Sequence, residues 1–178
     1  MTGSATFAPF IENRETAPAY WQVDILWLVL ADGNQTGNSF SLLEELCPKD
    51  SGPPPHTHTQ TEIFYLLDGE ITFLVDGKQI KAKAGSAVTV PPGVAHSFRV
   101  DSETCRVLNL YVPAGFERSI VELAEPAKHR TLPPKGLPMR GSMADAMKLF
   151  AEIGMKPVPG PDVLRPAADT RMDMSGGK

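Results

Sequence analysis

The chain has 178 residues, enough for one domain with a sizeable core, and a formal net charge of −4. Its lysines and arginines form no stripe, so nucleic-acid binding has no electrostatic support. The longest apolar run, around Val23 to Ala31, is half a membrane span and reads as a buried strand, and the N-terminus does not read as a secretory signal.

Residues up to about Ala17 are expected to form a loosely held arm. Tyr20 to Leu30 reads as a strand or strand pair, and Asp32-Gly33-Asn34-Gln35-Thr36-Gly37 as a dense turn cluster. Ser39 to Leu46 is the next strand, pairing back as a hairpin. Pro48 to Pro55 is a stiff loop, held extended by prolines 53, 54 and 55, each of which fixes φ and restricts its predecessor. Glu62 to Leu67 follows as a strand and Asp68-Gly69 as a turn. Glu70 to Val75 and Lys78 to Lys83 flank Asp76-Gly77, a tight hairpin signal. Ala84-Gly85 turns the chain into Ala87 to Val90, and Pro91-Pro92-Gly93 bends it toward His96. His96 to Val100 and Cys105 to Val112 are two more strands. Eight to ten short strands, with seventeen prolines and fifteen glycines between and around them, favour a β-sandwich or small barrel.

The last third changes character. Phe116 to Leu123 reads as a short amphipathic helix and Leu132 to Pro138 as a proline-rich linker. Ser142-Met143-Ala144-Asp145 resembles a capping box, opening a helix that runs through Ala151-Glu152-Ile153 and ends at Gly154. Met143, Met147, Leu149, Phe150 and Ile153 form a stripe suited to packing on the barrel or on a second subunit. Met155 to Pro161 is extended, and Asp169 to Lys178 is expected to fray. Cys47 and Cys105 could pair, but two buried thiols in a cytoplasmic protein is the preferred reading.

Chemistry concentrates in His56-Thr57-His58-Thr59-Gln60-Thr61-Glu62 and in Pro91-Pro92-Gly93-Val94-Ala95-His96. His56 and His58 are two apart and Glu62 is four past His58, so on an extended strand all three can face one side. His96 arrives from a second segment. Three imidazoles and one carboxylate can hold a divalent transition metal, with Fe, Mn, Ni, Co, Cu or Zn all compatible, and leave positions open for a substrate. His129, between Lys128 and Arg130, reads as an exposed residue rather than a further ligand.

The pattern resembles the cupin superfamily. His56, His58, Glu62 and Gly69 match H-x-H-x3-E-x6-G of its first motif, whose leading glycine is Asp50 here. Gly85, Pro91, Gly93 and His96 match the second motif in register, whose closing asparagine is Val100 here. The resemblance implies an all-β, double-stranded β-helix (a jelly-roll barrel) with a short helical C-terminal extension. On that reading residues 1–19 are an arm, 20–113 the barrel, and 114–178 a helical and proline-rich tail packing on the barrel or a partner subunit. A finer likeness to bacterial single-domain cupins of the quercetin 2,3-dioxygenase-like group rests on four segments. They are the Asp32–Gly37 turn, Pro53–His58, Pro113–Glu117 and Ala151–Met155.

That likeness implies a metal-dependent dioxygenase acting on a flavonol-like or other enolic or aromatic small molecule, with dioxygen as co-substrate. The substrate oxygen would bind the metal and Glu62 would accept the proton. It also implies a homodimer. Phe64 and Leu66 are even steps from Glu62, and Phe98 from His96, so they could clamp a planar substrate or serve as ordinary barrel core. Phe116 could lid the mouth or anchor the tail helix. Tyr65 and Ile63 belong to the opposite face. Two other readings stand beside the dioxygenase: a cupin isomerase or cyclase using the metal as a Lewis acid, and a non-catalytic small-molecule-binding cupin.

Overall fold

A computed structural model describes residues 7–137, 140–159 and 162–164. Residues 1–6 of the arm, part of the proline-rich segments, and Asp169 to Lys178 lie outside the described residues. Two antiparallel sheets face each other. The larger has the strand order β11-β1-β2-β3-β10-β5-β8 and the smaller the order β12-β4-β9-β6-β7. The strands are β1 (Ala19–Gln22), β2 (Ile25–Ala31), β3 (Ser41–Pro48), β4 (His56–Thr57), β5 (Thr61–Asp68), β6 (Glu70–Val75), β7 (Lys78–Lys83), β8 (Ala87–Val90), β9 (His96–Val100), β10 (Thr104–Val112), β11 (Glu125–Pro126) and β12 (Lys156–Pro157). This is the expected jelly-roll barrel. Among the described residues its strands number twelve rather than eight to ten, because three two-residue strands are too short to leave a pattern in the sequence.

The parity of the long strands decides what fills the barrel. On β3 the odd positions Leu43, Glu45 and Cys47 point inward; on β10 Cys105, Val107, Asn109 and Tyr111; on β5 Glu62, Phe64 and Leu66. Most join one core with Phe73, Phe98, Val90 and Val100. Strand β2 breaks the alternation, being buried on both faces. Ile25, Trp27 and Val29 enter the barrel core, while Leu26 and Leu28 pack with Ala17 and Trp21 beneath the linker residue Leu137. That double burial accounts for its continuous apolar run. The preceding turn places exposed Val23 at a φ of 58°, a strained conformation for a β-branched residue.

Three expectations need correction. The described end of the N-terminal arm next to the barrel is tied down: Ala17 is fully buried, Arg130 donates to its carbonyl, and Arg14 pairs with Glu44. Strand β3 runs from Ser41 to Pro48 rather than from Ser39 to Leu46, since Asn38, at a φ of 62°, still belongs to the preceding turn. The helical stripe buries only partly. In the helix α2 (Met143–Glu152), Ala146 and Leu149 are buried, with Ile153 just beyond, whereas Met143 and Met147 are 66% and 49% exposed. The helix lies on its Ala146 side, where a small residue permits close approach. Its capping box is complete, with Ser142 and Asp145 each holding the other's backbone N–H.

The tail is woven into the sheets. Helix α1 (Arg118–Leu123) leads to β11, which extends the larger sheet beside β1, and β12 extends the smaller sheet beside β4, the strand that carries His56. Cys47 and Cys105 face each other across β3 and β10 as buried free thiols.

Candidate metal centre

His56 and His96 are cross-strand partners on β4 and β9, which brings their rings to 4.3 Å centroid to centroid. The Gly93 N–H donates to the carbonyl of His58 at 2.8 Å, clasping the second segment onto the first. Glu62 enters from the opposing sheet on β5. The nitrogen and carboxylate atoms of His56, His58, Glu62 and His96 all lie within 4.8 Å of one another, and all four side chains are buried. These are the four residues singled out by the spacing, and their buried cluster fits a metal site. Exposed His129 is outside the cluster.

Each ring is oriented by its own neighbourhood. Nδ1 of His56 meets the Pro54 carbonyl at 3.0 Å, that of His58 the Gln60 carbonyl at 3.1 Å, and that of His96 the Val94 carbonyl at 2.9 Å. A carbonyl only accepts, so each Nδ1 carries a proton toward its own loop and each Nε2 points into the cluster. That arrangement is common at metal-binding imidazoles. Nε2 of His58 and of His96 both lie 2.9 Å from Glu62 Oε2. A convergent, buried and pre-oriented set of this kind fits one divalent transition ion held by His56, His58, Glu62 and His96.

The charges follow from the same contacts. Burial would push the Glu62 carboxyl upward, but hydrogen bonds to His58 and His96 prevail and hold it well below the usual carboxylate range. Burial, and then repulsion from His96, lowers His56 to about 4, so this ring is neutral near pH 7. Burial opposes protonation of His96 too, yet the Glu62 carboxylate beside it raises its pKa above the ordinary value.

Polar residues invisible to the motif surround Glu62. Asn109 Nδ2 lies 2.9 Å from Glu62 Oε1 and 2.7 Å from Glu45 Oε1, and Tyr111 Oη is 2.9 Å from the same nitrogen. Burial drives the Glu45 carboxyl up to about 8 against the hydrogen bond from Asn109, so it is largely neutral near pH 7. The sequence did carry a signal for these groups. Glu45 and Asn109 hold inward-pointing positions in strands whose other inward residues are apolar or aromatic.

The expected substrate residues separate into two groups. Phe64, Phe73 and Phe98 pack ring to ring, with Leu66 fully buried in the same core. Phe116 stands at the site itself, stacked on Tyr111 at 4.1 Å and 6.0 Å from the ring of His58. A cavity of about 280 Å³ borders His96 and is otherwise lined by Pro55, Leu74, Gly77, Ala95, Val158, Pro159 and Val163. A larger one of about 600 Å³ lies under the linker and touches none of the four ligands.

The glycine of the first motif has a steric reason. Gly69 holds a φ of 84°, and a Cβ there would meet Ser102 Oγ and the Thr104 carbonyl at 2.6 Å. The two departures from the motifs prove to be neighbours: the Asp50 N–H donates to the Val100 carbonyl, and the Val100 N–H to that of Ser51. Asp50 holds a φ of 64°, which explains why glycine suits the position and why aspartate is tolerated.

The sequence matches the Cupin domain family over residues 42–111, the stretch that holds all four ligands. Residues 42–111 thus form a cupin domain. Solved cupins superpose on its barrel. An RmlC-like cupin from Shewanella frigidimarina does so at a TM-score of 0.55 and 18% identity, over 62% of this chain and 96% of that one. KdgF from a Halomonas species does so at 0.54 and 17%, over 62% and 97%. A protein from Thermotoga maritima described as a predicted oxalate decarboxylase does so at 0.54 and 21%, over 59% and 99%. At these identities the likeness concerns the fold. In sequence, this cupin is 31% identical over 111 residues to quercetin 2,3-dioxygenase of Bacillus subtilis, covering 62% of the chain and 33% of that enzyme. It is also 38% identical over 56 residues to an uncharacterized protein of Streptomyces coelicolor, covering 32% of the chain and 53% of that protein. The matches thus span between a third and about half of the curated relatives' own length.

Proposed function

We propose that this cupin is a metal-dependent dioxygenase acting on a flavonol-like or other enolic or aromatic small molecule. The observation that carries the reading is the buried set of three imidazoles with their Nε2 atoms turned into one cluster, closed by one carboxylate. The likeness to the Bacillus subtilis quercetin 2,3-dioxygenase supports the substrate class. A bound transition ion supplies Lewis acidity and a means of activating dioxygen. The chain supplies the rest. Glu62 stands where an enolic proton is to be accepted, a contribution on the order of 10² to 10⁴ in rate. Phe116 and Tyr111 offer a stacked aromatic wall beside His58. Phe64, Leu66 and Phe98 shape the apolar interior behind it.

The test is elemental analysis of the purified protein, followed by oxygen uptake with flavonols after loading with Fe, Mn, Co, Ni or Cu. About one ion per chain, lost in His96→Ala, together with turnover that disappears in Glu62→Gln, is the expected result. No oxygen uptake with any flavonol and any of the five metals sinks the dioxygenase reading. Metal and ligand binding without turnover would then mark a binding module, and turnover without dioxygen an isomerase or cyclase.

We also place the protein in the cytoplasm as a homodimer. Buried, unbridged Cys47 and Cys105 support a reducing compartment, and no helix among the described residues is long and apolar enough to cross a membrane. The outer face of the larger sheet presents Leu42, Ile63, Tyr65, Leu108, Leu110 and Val112, all partly or fully exposed, as a surface for a second copy.

A further inference from the structure

We propose that Asn109 is a positioning residue of the metal centre, an amide clip that turns Glu62 toward the three imidazoles and is itself anchored by Glu45. The inference rests on the metal-centre reading above.

The two oxygens of Glu62 have separate surroundings. Oε2 faces Nε2 of His58 and His96, and Oε1 faces Asn109. A glutamate side chain has three rotatable torsions, so its carboxylate plane needs an outside constraint if it is to meet an ion in one orientation. Asn109 provides it from β10, whose backbone sits in register between β3, the strand of Glu45, and β5, the strand of Glu62. The donor count closes. Nδ2 has two hydrogens, and the two glutamate oxygens lie at 2.7 and 2.9 Å. The third neighbour, Tyr111 Oη, carries its own hydrogen and also bonds Glu62. Among the described residues Asn109 Oδ1 has no partner, so the amide is held through its nitrogen. Removing Glu45 as an acceptor would therefore free the clip to turn.

Asparagine suits the place because it offers a fork of two donors without charge. An aspartate would bring a third carboxylate beside two others, and a leucine would fill the volume with no donor. Asn109 meets the cluster through its bond to Glu62, so it acts through that residue.

The test uses the full chain loaded with cobalt(II). Affinity is read by competition with a chelator, coordination by the visible d–d spectrum, and folding by thermal melts of the metal-free protein. Asn109→Leu is expected to weaken cobalt binding by about tenfold or more and to alter the spectrum, the size of effect typical for a group behind a metal ligand. Asn109→Ser, whose side chain is too short to span both glutamates, is expected to do the same if the leucine variant does not fold. Glu45→Gln, which keeps an acceptor oxygen, is expected to retain the wild-type spectrum. Wild-type affinity and spectrum in folded Asn109→Ser or Asn109→Leu, while Glu62→Gln changes both, overturns the clip and leaves the centre standing. A wild-type protein that binds no cobalt overturns the centre and the clip together.

Discussion

Glu45 is a fully buried carboxyl whose proton is kept by its surroundings. In the unfolded chain it ionises near 4.5, whereas in the fold it does so near 8. Between those values the folded protein binds a proton that the unfolded chain has released, so stability falls as pH rises through this window. Glu45→Gln removes the titration and should remove its part of that fall. In thermal melts of the metal-free protein, the variant should gain on the wild type as the pH is raised from about 5 to about 8. Curves that stay parallel would show that Glu45 is not held neutral. The cluster of His56, His58, Glu62 and His96 was legible in the sequence because these residues sit at short, fixed spacings beside glycines and prolines with narrow conformational choices. Glu45, Asn109 and Tyr111 were not singled out, because their meeting depends on the β3–β10–β5 register. Parity marks each as facing inward but does not say which residue of a neighbouring strand it will face.

Strands and hairpins with local signals were read closely: β6, β7 and β8 have the predicted bounds. The two-residue strands β4, β11 and β12 were not, since each exists only because a distant segment offers its edge. Strand β12 matters most among these. Helix α2 ends at Glu152, and the carbonyl of the next residue, Ile153, accepts from the side chain of Gln60, between His58 and Glu62. Gly154 then passes so near Thr59 that an added Cβ would lie 2.7 Å from its Cγ2, at a φ of 75° that also favours glycine. Gly154→Ala should therefore lift the tail from the ligand loop and weaken cobalt binding, while far-ultraviolet circular dichroism reports an intact barrel. Unchanged metal affinity would mean that the loop is held without the tail.

At the scale of the molecule, the barrel interior is closed by aromatic and aliphatic packing, while the outer face of the larger sheet stays partly apolar. Tyr65, 44% exposed on that face beside Leu108, is the residue to change. Tyr65→Lys should shift the protein from dimer to monomer in light scattering and leave its metal content unaltered. A wild-type protein that is already monomeric removes the homodimer. The jelly roll itself was legible, because turn residues recur between short runs of fixed length. The closeness of arm and tail to the barrel was not, since Ala17, Arg130 and Leu137 carry no pattern of their own and find partners only across the folded chain.

The pairing of β12 with β4 also bears on biosynthesis. A chain made from its N-terminus has both ligand segments in hand well before Lys156 and Pro157 are added beside His56 and Thr57. Until then the edge of β4 is bare and the Gln60 amide lacks its acceptor on Ile153. The cluster of histidines and Glu62 is thus synthesised before the strand that borders it, so in the order of synthesis the cup precedes its cover.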